Sequence, residues 1–154
     1  MSQRVIKGGA MFRIHVERVL GKDIETVFEA IADHGRYDRF PGVSRSVLLE
    51  EGKDEKNGTG ALRLIGAGRL ELTERITRFE RPNRMDYRIE KSSPFPVQHT
   101  KGEIVLQPEG EQTRVVWISE GAVQVPLLGR LMDRMAERSF SKAFSSLLKA
   151  IERL

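Results

Sequence analysis

The last stretch of the chain, Pro126 to Leu154, constrains the fold more than any other. Its apolar residues recur at Leu128, Leu131, Met132, Met135, Ala136, Phe140, Ala143, Phe144, Leu147, Leu148, Ile151 and Leu154, the alternation of three and four that gathers side chains on one face of an α-helix. Arg130, Asp133, Arg134, Glu137, Arg138, Lys142, Lys149, Glu152 and Arg153 fall between them, so the opposite face is solvated and the segment is not a membrane span. Pro126 suits a first helical position, where a missing N–H has no partner to lose, and Gly129 is the only breaker, in the opening turn. At 1.5 Å per residue, roughly 28 residues reach about 42 Å, longer than any strand in the chain. A rod of that length has to lie across a whole sheet.

The residues before it read as that sheet. Phe12, Ile14 and Val16 alternate with Arg13, His15 and Glu17, the two-residue period of a half-buried strand from Met11 to Leu20. Asp23 can cap a short helix in which Ile24, Val27, Phe28 and Ile31 recur at helical spacing, ending near His34 and Gly35. Tyr37 and Phe40 lie in a second short helix closed by Pro41 and Gly42. From Val43 the period is two again. Val43, Val47 and Leu49 share a face of the first strand, Gly52 to Gly60 is a polar turn, and Leu62 and Leu64 mark the next strand. Leu70, Leu72 and Ile76, then Met85, Tyr87 and Ile89, then Ile104 and Leu106, then Val115 and Trp117 mark four more. Ser92 to Pro96 interrupts the pairing, because proline cannot donate to a ladder. Six strands joined by hairpin turns make an antiparallel sheet, apolar on one face and covered there by the long helix. The class is α+β: seven antiparallel strands, two short helices between the first and second, and one long C-terminal helix.

The 154 residues suffice for one domain with a sizeable core. Residues 1–10 are polar and Gly-rich and read as a frayed lead-in to a single domain over 11–154, with no apolar core of a signal peptide. The absence of cysteine excludes disulfides and thiol chemistry and fits a reducing compartment, so a cytoplasmic location is expected. Lys and Arg number 26 against 22 Asp and Glu, and the signs alternate along the chain. That is a solvated surface, not the one-signed stripe a nucleic-acid partner needs.

Three stretches resemble the START-like, polyketide cyclase/dehydratase-like (SRPBCC) superfamily: VFEAIADHGRYDRFPGV (Val27–Val43), LTERITRFERPNRMDY (Leu72–Tyr87) and GEIVLQPEGEQTRVVW (Gly102–Trp117). They occur in the order the superfamily has them, and the likeness runs from about Met11 to Leu154. The resemblance implies the helix-grip fold, a curved sheet wrapped around the long helix, and a cavity between the two. The superfamily includes cyclases, lipid carriers, hormone receptors and chaperone activators, so it implies no single reaction.

A cavity also follows from geometry, since one cylinder about 10 Å across does not fill a wider trough. Tyr37, Phe40, Tyr87, Trp117, Met132, Met135 and Phe140 are the inward candidates to line it, and each also suits plain core packing. Arg45, between Val43 and Val47, and Glu74, between Leu72 and Ile76, are charged residues on apolar faces. They either pair inward, where Arg45 meets a ligand oxygen or Glu74 acts as a base, or sit at a rim with their charges in water. His15 should face solvent and His34 should serve a cap or turn. His99 points outward by simple counting from Ile104, with Gln98 and Thr100 inside, and inward if a bulge lies near Gly102. No histidine pair has metal-ligand spacing, and no cofactor is expected.

These residues suit the binding of a hydrophobic, lipid-like or polycyclic molecule. Alternatives are a cyclase, dehydratase or isomerase with Glu74 or His99 as acid/base, and an interaction module or homodimer using Val116 and Ile118 on the outer sheet face.

Overall fold

The computed structural model describes residues 11–154, so the lead-in expected over residues 1–10 lies outside the described residues. The chain forms β1 (Phe12–Leu20), α1 (Ile24–Ala32), a 3-10 helix (His34–Arg39), and then six strands. These are β2 (Arg45–Glu50), β3 (Leu62–Ala67), β4 (Leu70–Glu80), β5 (Arg84–Ser93), β6 (Val97–Glu109) and β7 (Gln112–Val123), followed by α2 (Gly129–Glu152). All strands are antiparallel in one sheet of order β1-β7-β6-β5-β4-β3-β2. The hairpins run β2 to β7 without a crossover, and β1 closes the sheet by pairing with β7. The architecture is the helix-grip fold, with α2 lying in the concave face. Among the described residues no helix is long and apolar enough to cross a membrane.

Local chemistry sets the element ends. Asp23 caps α1 as its position suggests: Oδ1 accepts the Thr26 N–H at 2.9 Å and Oδ2 the Thr26 hydroxyl at 2.7 Å. The long helix starts at Gly129, three residues later than the proline placed it. Residues 126–128 form a turn instead, with Leu127 at φ 66° and fully exposed. Asp133 is correspondingly not on the solvated face. It is buried, and its Oδ1 accepts the Val123 N–H at 2.8 Å, which ties the end of β7 to the first turns of α2.

Directly paired residues in an antiparallel ladder share a face, and the register assigns the inner face strand by strand. Ile14 pairs Ser119, Val16 pairs Trp117, Trp117 pairs Ile104, Ile76 pairs Tyr87, and Arg63 pairs Glu74. On β2 and β3 this reverses the expected face. Leu48 and Ile65 pack against the core while Leu49 is exposed, and Arg63, not Leu64, lies fully buried. Alternation failed there because β2 and β3 carry apolar residues on both faces, and a one-residue shift flips every side chain.

Candidate functional site

Strands β5 and β6 pair only at Arg84–Asp86 with Glu103–Val105, and beyond that point they part. Each strand carries a bulge where they diverge: one residue, Glu90, is skipped between Ile89 and Lys91 opposite β4, and Thr100 is skipped between His99 and Lys101 opposite β7. The bulge at Thr100 turns His99 inward, to 5% exposure, and leaves Thr100 exposed. Simple counting had put Thr100 inside. The His99 ring fills the gap between the strands: the Ile89 N–H, left without a ladder partner, donates to Nδ1 at 3.1 Å. Gly102 makes room for it, since a Cβ there would lie 2.5 Å from the Tyr87 carbonyl oxygen and 2.7 Å from His99 Cε1.

The parted strands and α2 border three adjoining spaces that share wall residues. A mouth chamber of about 390 Å³ lies between the β5–β6 connection and α2, with Phe95, Met132, Met135 and Phe140 in its wall. Phe95 and Met135 are half-exposed at its rim, and Ser92 Oγ is buried against it without a hydrogen-bond partner. A far chamber of about 130 Å³ is walled by Tyr37, Arg63, Glu74, Trp117, Phe140 and Phe144, among others. A niche of about 20 Å³ opens against the sheet between Glu74, Tyr87, Ser119 and Phe144. Leu72 and Phe140 line all three spaces, one from the sheet and one from the helix.

Two hydrogen-bond chains approach this cavity from opposite sides. The first begins at the 52–60 loop. His34 is buried, not a cap, and its Nε2 donates to the Asn57 carbonyl at 2.8 Å, which leaves Nδ1 to accept from Arg63 Nη1 at 3.1 Å. Arg63 then donates Nε to Glu74 Oε2 at 2.8 Å, and its Nη2 lies 2.7 Å from the same oxygen in an ion pair. Its guanidinium lies 4.9 Å from the Tyr37 ring centre and 5.6 Å from that of Tyr87. Burial, the largest single influence, lowers the Arg63 pKa, but Glu74 and Tyr37 together outweigh it and the net shift is upward. Burial, then the Arg63 charge, hold the His34 pKa down to about 3, so its ring is neutral. Among the described residues no donor reaches Glu74 Oε1, and Glu74 lines both the far chamber and the niche.

The second chain runs from β5 through β6 to β7. His99 Nε2 meets Ser119 Oγ at 2.9 Å, the Ser119 hydroxyl lies beside the Tyr87 hydroxyl, and Trp117 Nε1 donates to Tyr87 Oη at 2.9 Å. Burial, then the Arg88 charge, lower the His99 pKa to about 4. Trp117 stacks on Phe144 of α2, ring centres 3.9 Å apart and 6° from parallel.

The structure brings Tyr37, Glu74, Tyr87, His99 and Trp117 together around the cavity and its hydrogen-bond chains, with Met132, Met135 and Phe140 supplied by α2. Phe40 is buried against Tyr37, outside the cavity wall. Arg45 is corrected to the rim: it is exposed, pairs with Glu71 at 3.3 Å, and does not meet Glu74. The partner of Glu74 is Arg63, which no apolar period marks. Strand pairing across a short hairpin was the available signal, because an Arg directly opposite a Glu needs only the right register. Val116 and Ile118 are half-buried on the outer face. No group of three or more acidic or histidine side chains suited to a metal comes together among the described residues.

Solved structures share this architecture over nearly the whole chain. The Zhui aromatase/cyclase from Streptomyces sp. R1128 superposes with a TM-score of 0.74 at 19% identity, covering 94% of this chain and 95% of that one. TTHA0849 from Thermus thermophilus gives a TM-score of 0.74 at 22% identity, covering 92% and 94%. A START superfamily protein from Mycobacterium smegmatis gives 0.71 at 15% identity, covering 94% and 99%. At these identities the likeness is one of fold. No curated protein matches the sequence. The model of the polyketide cyclase/dehydrase and lipid transport family matches residues 11–154, and the chain belongs to that family.

Proposed function

We propose that the protein binds a hydrophobic small molecule, lipid-like or polycyclic, between the sheet and α2. The observation that carries this reading is the set of adjoining spaces, whose mostly apolar wall is interrupted at a few sites by polar groups, among them Glu74, Tyr87 and Ser119 held in hydrogen-bond chains. Binding sites for small molecules have that composition: apolar burial supplies affinity and a few fixed polar atoms supply orientation. The β5–β6 parting, rimmed by Phe95 and Met135, is the route in. Mass spectrometry of the natively purified protein tests this. A bound apolar molecule, released on denaturation, is the expected result; protein that stays ligand-free and takes up no apolar compound would end the reading.

An enzymatic reading draws support from one further observation, the open Oε1 of Glu74 in the cavity wall. In that reading Glu74 moves a proton on a bound polyketide-like molecule in a cyclase or dehydratase step. His99 suits that role less well, because both ring nitrogens already have partners. Turnover lost in Glu74→Gln and kept in His99→Gln is the expected pattern.

A further inference from the structure

We infer that the niche recognises a hydroxyl group, so that among apolar molecules the protein selects those ending in an alcohol, phenol or enol over ethers and carboxylates. This rests on the cavity reading above and specifies the chemistry of its ligand.

The inference comes from following hydrogens along the second chain. The Ile89 backbone N–H can only donate, so His99 Nδ1 is an acceptor. A neutral ring then carries its hydrogen on Nε2, which donates to Ser119 Oγ. From the other side the Trp117 indole, a donor only, gives its hydrogen to Tyr87 Oη. The Ser119 and Tyr87 hydroxyls therefore each already accept a hydrogen, and each still has one to give. They lie side by side, so each can answer the other with at most one of these hydrogens. The remaining hydrogen has no acceptor among the described residues, and Tyr87 and Ser119 both line the niche. Burial raises the Tyr87 pKa, so that hydroxyl keeps its proton at all physiological pH values.

Glu74 lines the same niche. Both close Arg63 contacts fall on its Oε2, and no donor among the described residues reaches Oε1. A group that answers both Oε1 and the hydroxyl pair has to accept one hydrogen and donate another. A hydroxyl does both, whereas an ether or carbonyl oxygen only accepts and leaves the carboxylate oxygen unanswered. A carboxylate brings a second anion beside Glu74, and Arg63 is already held by Glu74 and His34. Size agrees with this. A niche of about 20 Å³ has room for one water-sized group, for which roughly 10–15 Å³ is needed, while the apolar body of the ligand lies in the larger chambers.

The test is calorimetric titration of the protein with naphthol, its methyl ether and naphthoic acid at neutral pH. Naphthol should bind about tenfold more tightly than the ether, and naphthoic acid more weakly than either. In the double variant Arg63→Met, Glu74→Leu, which removes the acceptor that only a hydroxyl can answer, the preference for naphthol over the ether should vanish while the ether still binds. Equal affinities of naphthol and ether for the wild-type protein would overturn the hydroxyl niche and leave the cavity reading standing. Failure of all three probes to bind would remove the cavity reading and this inference with it. If the double variant does not fold, the wild-type series decides the matter alone.

Discussion

Arg63 sets two guanidinium nitrogens against a single oxygen of Glu74, Nε at 2.8 Å and Nη2 at 2.7 Å, from the directly opposite position on the neighbouring strand. The pair is almost completely withdrawn from water. Attraction between two such ions roughly repays the cost of desolvating them, so the pair itself adds little stability, but an ion stripped of its partner is costly. Glu74→Ala should therefore destabilise the fold by about 3–5 kcal/mol in urea denaturation. The joint replacement Arg63→Met, Glu74→Leu should recover most of that loss. A double variant as unstable as the single one would show that the two residues do not act as a pair.

Acid should weaken the fold through its two buried histidines. In the unfolded chain each takes up a proton near pH 6.5, but in the fold His99 does so only near 4 and His34 near 3. Between those values the unfolded state holds more protons, so stability falls as pH falls. Each ring contributes up to about 1.4 kcal/mol per pH unit in that window and nothing above about pH 7. Urea midpoints measured between about pH 7 and about pH 5 should drop, and the drop should be shallower in His99→Gln. An unchanged slope in that variant would contradict the burial of His99.

Gly102 is the position where the sheet can least accept a side chain. A Cβ would overlap backbone of β5 as well as the His99 ring, and backbone cannot swing away as a side-chain tip does. Gly102→Ala should cost about 1–3 kcal/mol by overpacking. It should also displace His99 from the Ile89 amide, visible as faster hydrogen exchange at that amide.

Ala143 borders both the mouth chamber and the far chamber from the α2 side and is exposed. A bulky residue there fills space that the fold leaves open, with little core to disturb. Ala143→Trp should lower naphthol affinity about tenfold or more while changing thermal stability little. Retained affinity would place the ligand elsewhere.

Much of this was legible before any coordinates. The helical period from Leu131 to Leu154, the strand period of β1 and β4 to β7, and the turn residues between them follow from covalent geometry, because each period is local and a buried face repeats it. The inward placement of Tyr87 and Trp117 followed from the same parity, which left Glu74 open between the inner face and a rim. Parity was also where reading stopped. It failed on β2 and β3, where both faces are apolar, and at the Thr100 bulge, where one extra residue reverses the rule. Asp133 looked like a surface residue and His34 like a cap or turn residue, because nothing local shows that Val123 and Arg63 will come to meet them.

The sequence by itself determined the elements, their order and the one-sided greasiness that drives α2 into the sheet, all set by the spacing of residues within each segment. Only the tertiary structure decided which polar atoms became partners. That choice depends on strand register and on where two strands cease to pair, and a register joins residues such as Arg63 and Glu74, or Ile89 and His99, whose encounter no local period encodes.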